Sequence, residues 1–147
     1  MQLQDFHFDQ SVLCWLATVS AAGQPNVSPK EIFCTYREDY LLIANIASPG
    51  SLRNIQDNPA VCVSFIDILV QKGAQIKGTA TIVYQNDPAY DALAQGLHQL
   101  TGGMFPFASL FKIRIESIKP IVAPRYRLFP ETTEAEQIAS AKKTYGV

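Results

Sequence analysis

Two short stretches concentrate the residue types able to hold an anion or another polar ligand. In NVSPKEIF, residues 26 to 33, an extended apolar run is interrupted by Pro29, which cannot donate to a strand ladder, and by the charged pair Lys30-Glu31. A strand broken in this way leaves backbone groups free to meet a ligand, and Lys30 brings a cation to the same place. An edge strand whose lysine merely snorkels to solvent would read the same way. The second stretch, Ser48-Pro49-Gly50-Ser51-Leu52-Arg53-Asn54, follows the apolar run YLLIANI and ends at Asn58-Pro59, which predicts a helix of about two turns. Its first turn would aim free N–H groups at an anion, with Gly50 allowing close approach and Ser48 and Ser51 adding hydroxyls. Helical side chains lean toward the N-terminus, so Arg53 could reach the same anion with its forked guanidinium. An ordinary capped helix with a solvent-facing arginine is the alternative.

Other reactive residues read as structural. Cys14, Cys34 and Cys62 are odd in number, far apart and set in apolar surroundings, with no CxxC spacing and no flanking base, as expected of reduced core thiols in a cytoplasmic protein. His7 and His98 are isolated and lack metal-ligand spacing. Trp15, Phe105, Phe107 and Phe111 are expected in the core or at a subunit interface. Nothing marks Glu31 as a perturbed carboxylate, so it is given no catalytic role.

The elements that must position these residues are mostly strands. The β-branched run VLCWLATVS (12 to 20), the turn AAGQP and an extended run from Asn26 to Tyr36 predict a hairpin. YLLIANI (40 to 46) and AVCVSFI (60 to 66) read as buried strands, while QIKGTATIVYQ (75 to 85) and FKIRIESI (111 to 118) alternate apolar and polar residues. Asp87-Pro88 predicts the start of a helix whose apolar residues recur through Leu100 until Gly102-Gly103 ends it. Thr133 and Glu136 have capping-box spacing for a C-terminal helix from about 133 to 145, and RYRLFP (125 to 130) reads as a loop. About six antiparallel strands with helical covers predict a mainly β fold, a barrel, since closure is how such a sheet removes its edges.

Composition narrows the partners. The chain of 147 residues fits one domain, 1 to 147. It is 48% hydrophobic and 17% charged, which leaves apolar surface for a partner such as a second copy. A net charge of -1 without long runs of either sign argues against nucleic acid and against a polybasic membrane patch. The first residues lack the pattern of an export signal, and no apolar stretch approaches the ~18 residues of a membrane span. The expected ligand is small.

Taken in order, "LATV…G.P..SPK", "RN(I/L)..NP.V" and "KG.A", which stand here between about Leu16 and Tyr84, resemble the flavin-binding split-barrel family related to pyridoxamine 5'-phosphate oxidase. The resemblance implies a six-stranded antiparallel split β-barrel that forms a homodimer and holds flavin mononucleotide (FMN) in a cleft at the subunit interface. By position, Ser28, Pro29, Lys30 and Glu31 match the strand lying along the isoalloxazine and ribityl chain. Ile46, Ala47 and Ser48 match the end of the next strand, and Ser51, Arg53 and Asn54 match the phosphate-binding turn and helix. Lys77 would approach the cofactor or line the interface, and one aromatic ring could stack beside the flavin. On this reading Arg53 holds the phosphate and Lys30 lies nearer the flavin's pyrimidine edge.

The departures from the family matter too. Pro49-Gly50-Ser51 stands where vitamin-oxidase relatives carry adjacent basic residues, and the C-terminal arginine and histidine that bind substrate in the true oxidases have no counterpart. An FMN-dependent oxidoreductase acting with a small redox partner or substrate is the first reading. A flavin-binding electron carrier or flavin store is the second, and a deazaflavin or heme binder the third. The missing motif predicts that pyridoxamine and pyridoxine 5'-phosphate are poor substrates. Oxygen-dependent formation of pyridoxal 5'-phosphate, followed spectrophotometrically, is expected to stay well below the ~1 per second of an ordinary enzyme.

Overall fold

A computed structural model describes residues 2–147. The β-branched and apolar runs form seven strands: β1 (Cys14–Val19), β2 (Pro25–Lys30), β3 (Phe33–Tyr36), β4 (Tyr40–Ala44), β5 (Ala60–Asp67), β6 (Lys72–Tyr84) and β7 (Ser109–Val122). They pair antiparallel in one sheet, in the order β2-β1-β5-β6-β7-β4-β3. This is the expected mainly β split barrel with seven strands instead of six. The difference lies in the run from Asn26 to Tyr36, which is two strands broken at Glu31 and Ile32.

That break dictates the shape. β2 and β3 are the two outer strands of the sheet, yet only two residues separate them, and a chain this short reaches about 10 Å. The sheet must therefore curl until its two edges lie side by side. Pro29 is tolerated because β2 is an edge strand, with β1 on one side only. The Ile32 carbonyl accepts from Ala44 N–H at 3.0 Å, which ties the linking segment to β4.

Curling makes two apolar layers. Leu16, Leu41, Ile43, Val63, Phe65, Ile76, Phe111 and Ile113 fill the barrel. Phe8, from the second of two N-terminal 3-10 turns (Leu3–Phe6 and Phe8–Gln10), meets Phe33 and Phe65 edge to face at 5.3 and 5.1 Å. The second layer lies between the sheet and α2 (Tyr90–Thr101), where Leu42, Ala44, Val83 and Leu110 meet Leu93, Ala94 and Leu97. β4 is thus buried on both faces, which its unbroken apolar sequence foreshadows. The α2 helix starts two residues later than Pro88. Asp87 caps the preceding turn, its Oδ1 accepting from Ala89 N–H at 2.8 Å, because Ala89 is still a turn residue.

The nine-residue α1 (Pro49–Asp57) follows β4, and Asn58 caps its exit by accepting from Ala60 N–H at 3.0 Å. Downstream of β7, RYRLFP is not a loop. Pro124–Leu128 form the short helix α3, held because the Tyr126 hydroxyl donates to the Val70 carbonyl at 2.7 Å and the Lys72 ammonium sits 4.4 Å over its ring. The capping box of Thr133 and Glu136 starts α4 (Glu134–Tyr145) as expected. Among the described residues no helix is long and apolar enough to cross a membrane.

The α4 helix is tethered by charge. Lys72 donates to Glu134 at 2.9 Å and His7 lies 3.3 Å from it, while Tyr145 reaches the Ile68 carbonyl at the other end of the helix. The hydrogen bond from Lys72 holds the Glu134 carboxyl below its ordinary value of 4.5, and His7 acts in the same direction. A carboxyl whose folded value is depressed stabilises the folded form above its unfolded value and loses that contribution as pH falls through the folded one. The amides of α4 are therefore expected to lose hydrogen-exchange protection below about pH 4.5 before the barrel does. Glu134→Gln should remove this acid step; the effect is modest because the pair is partly exposed.

Candidate functional site

The seam where the sheet's two edges meet is open, and it forms a cleft of about 230 Å³ lined by Pro29, Lys30, Glu31, Ile32, Ala44, Ile46 and Phe105. One wall is the break between β2 and β3. The floor is the end of β4, and the remaining side is the arch between α2 and β7. Strand alternation turns Pro29 outward and Lys30 inward. Four of the residues singled out from the sequence, Pro29, Lys30, Glu31 and Ile46, line this one cleft.

Lys30 is the electrostatic centre of this site. It is only 7% exposed, and its ammonium donates to the Ser48 hydroxyl. Among the described residues the ion pairs are confined to His7, Asp67, Lys72 and Glu134, far along the sequence from Lys30 and at a different cavity, so no carboxylate neutralises this buried cation. Its strand neighbour Cys14 does not do so either: burial pushes that thiol up to about 12, although Lys30 opposes the shift. Burial correspondingly pulls the Lys30 ammonium down from its usual range. A buried, unpaired ammonium is costly, and an anionic or electron-rich ligand would relieve it.

The contact with Ser48 joins the cleft to the start of α1. Ser48 is the N-cap residue, yet its hydroxyl does not cap the helix, being turned to Lys30. Pro49 has no N–H to satisfy, and the N–H groups of Gly50 and Ser51 find no protein acceptor among the described residues. A Cβ built on Gly50 would meet nothing within 4 Å, so open space lies over this turn. Immediately before it Ala47 adopts a left-handed φ of 50°, a conformation that costs energy in a residue with a side chain.

The remaining expected site residues fall into three groups. The Ser28 and Ser51 hydroxyls lie 3.4 Å apart and Asn54 donates to the Thr18 hydroxyl at 3.0 Å, so these residues hold α1 against β1 and β2. Arg53 is exposed on α1 with no hydrogen bond to the protein among the described residues. Lys77 stands apart. It is exposed on β6 opposite Cys62, beside a β-bulge, on the outer face of the sheet and away from the cleft.

Two lining residues escaped the sequence reading, Ile32 and Ala44, while Phe105 is one of the aromatics expected in the core, at an interface or beside the ligand. Ile32 and Ala44 carry no local signal, since only closure of the sheet brings them together. Of the four aromatics expected in a core or interface, Phe107 and Phe111 are buried, while Trp15 and Phe105 are 44% and 53% exposed. His98 stacks on Phe107 with ring centroids 4.5 Å apart, and neither histidine lines the cleft. Among the described residues no cluster of His, Cys, Asp or Glu could hold a metal ion.

Comparison with known proteins adds an independent line. The family model described as pyridoxamine 5'-phosphate oxidase matches residues 2–121. The crystal structure of HupZ from Group A Streptococcus is 26% identical, with a TM-score of 0.67 over 80% of this chain and 92% of that one. An FMN-binding protein from Syntrophomonas wolfei is 13% identical, with a TM-score of 0.68 over 83% and 85% of the two chains. HutZ, the heme storage protein from Vibrio cholerae, is 23% identical, with a TM-score of 0.62 over 83% and 95%. At these identities the last two are alike in fold alone. No curated protein matches the chain in sequence.

Proposed function

Because the chain belongs to the pyridoxamine 5'-phosphate oxidase family, we propose that it binds FMN at the seam cleft and acts as an oxidoreductase on a small molecule. The observation that carries this reading is the buried Lys30 ammonium, without a carboxylate partner, placed between an open cleft and the uncapped start of α1. Both features suit an elongated ligand with an electron-rich ring at one end and an anion at the other. Ser28, Pro29, Lys30 and Glu31 would run along the ring and ribityl chain, with Ile46 and Ala47 beneath. The free N–H groups of Gly50 and Ser51, the Ser48 and Ser51 hydroxyls and the Arg53 guanidinium would receive the phosphate, with Asn54 keeping α1 in place. Bound flavin supplies the redox chemistry; the chain supplies orientation and charge.

A flavin carrier or store without its own substrate is favoured by one feature. Among the described residues Glu31, exposed, is the only carboxylate lining the cleft, and no histidine, cysteine or tyrosine joins it, so Lys30 and Glu31 are the only titratable side chains offered there. Heme has less support, because an axial ligand would be wanted and both histidines lie elsewhere. Three unpaired cysteines suit the reducing cytoplasm, where we place the protein.

A second copy of the chain completes the site on this reading. A cleft of about 230 Å³ is smaller than the roughly 300–1,000 Å³ of ordinary ligand sites, and it is open. On the outer face of the sheet an apolar groove of about 490 Å³ is lined by Val12, Leu13, Trp15, Ile66, Ile68 and Ile121. Trp15 and Ile68 are 44% and 55% exposed there, and covering such a face is what a homodimer would do. Lys77, on that outer face, would serve the subunit contact. Sedimentation at micromolar concentration is expected to give a dimer; a monomer that retains flavin would overturn this assembly.

The visible spectrum of the purified protein, reconstituted with FMN if colourless, tests the cofactor. Two variants then test the division of labour. Hydrogen bonds to charged groups contribute about 1.5 to 3 kcal/mol. Arg53→Ala should therefore weaken FMN by about tenfold to a hundredfold and leave riboflavin, which lacks the phosphate, almost unchanged. Lys30→Met should weaken both ligands, and by removing an unpaired buried charge it should stabilise the ligand-free protein by about 1 kcal/mol or more in denaturant titration. Loss of FMN with full retention of riboflavin in Lys30→Met would place the lysine on the phosphate instead.

A further inference from the structure

The cleft has one wall that the binding scheme above does not use. Between α2 and β7 the chain forms a short arch whose two feet are fixed and whose tip is bare. At the first foot Gly102 and Gly103 take left-handed φ values of 60° and 78°, which a side chain would strain. Gly103 N–H donates to the His98 carbonyl at 3.2 Å and Met104 N–H to the Thr101 carbonyl at 3.1 Å. At the second foot Phe107 is buried, stacks on His98 and accepts from the Tyr90 hydroxyl through its carbonyl at 2.6 Å. Between the feet stand two large apolar side chains that the chain leaves largely uncovered: Met104 is 78% exposed and Phe105 is 53% exposed. They differ in one respect. Phe105 lines the cleft and Met104 does not.

Pro106 sharpens the point. A residue that precedes proline is restricted to extended backbone conformations, so the Phe105 ring is presented from a backbone with little freedom to lose. A half-exposed aromatic ring held stiffly at the mouth of a cleft, opposite the polar wall of Lys30 and Glu31, offers an apolar surface to one face of whatever lies between. Aromatic rings gain most against other planar rings, in offset or edge contact.

We propose that Phe105 is the residue that makes the cleft selective for a planar ring: it covers one face of the ring system seated there and leaves the other to small reactants. This rests on the reading that FMN occupies the cleft. Phe105 acts by position and shielding and takes no part in proton or electron transfer.

The test compares the wild-type protein with Phe105→Ala and Met104→Ala, each loaded with FMN. Dissociation constants come from absorbance titration, and accessibility from the rate at which dithionite bleaches the bound flavin anaerobically. Phe105→Ala is expected to weaken FMN by about tenfold and to be bleached severalfold faster at an unchanged reduction potential, while Met104→Ala matches the wild type in both. Unchanged affinity and rate in Phe105→Ala overturn the proposal and leave the cofactor assignment intact. A change in affinity without a change in rate overturns the shielding, and equal effects in the two variants overturn any special part for Phe105. Failure of the wild-type protein to take up FMN overturns the cofactor assignment together with this proposal.

Discussion

The structure turns on one length constraint. The strands at opposite ends of the sheet, β2 and β3, are consecutive in the chain and are joined by Glu31 and Ile32 alone. A seven-stranded sheet laid flat would hold its outer strands roughly 28 Å apart at the usual spacing between strands, nearly three times the distance two linking residues can span. Closure is therefore forced by connectivity as well as favoured by burial. The seam it produces lies along the edge strand that carries Pro29 and where the backbone of the link is turned to other uses. The cleft is a consequence of how the barrel closes.

The same constraint explains the unusual state of Lys30. Inward placement on β2 follows from strand alternation, and next to a closing seam inward means toward Cys14 and the start of α1. Ordinary folding physics would fill that position with an apolar side chain or supply a carboxylate. Here the partner is a serine hydroxyl withdrawn from its own helix, and the left-handed Ala47 precedes that serine. A buried cation, an uncapped helix start and a strained residue at one place are local costs that point together to a ligand rather than to stability.

The rest of the molecule makes that arrangement stiff. β4, buried on both faces, carries Ala44 and Ile46 into the cleft floor and cannot shift without disturbing both apolar layers. Hydrogen bonds from Asn54 to Thr18 and between Ser28 and Ser51 fix α1 against the strands that carry Lys30. At another cavity the α4 helix is tied down by Lys72, Glu134 and His7, residues that take no part in the cleft. One group of charges is paired and serves the fold, while the Lys30 charge is left open.

Much of this was legible in the amino-acid order, because it depends on local chemistry. Alternation marked the strands, Gly102-Gly103 marked the end of α2, the box of Thr133 and Glu136 marked α4, and Pro29 marked an edge. The polar character of SPKE and of SPGSLRN was equally plain. Where local pattern reads differently from the structure, the outcome depends on contacts between distant residues. The run from Asn26 to Tyr36 reads as one strand and is two, and RYRLFP reads as a loop but lies mostly in α3, in keeping with Ala44 binding Ile32 and Tyr126 reaching Val70. The cleft belongs to the same class. Phe105 and Lys30 are 75 positions apart in the chain, and their lining of one cleft follows from closure of the sheet, which local propensity does not encode.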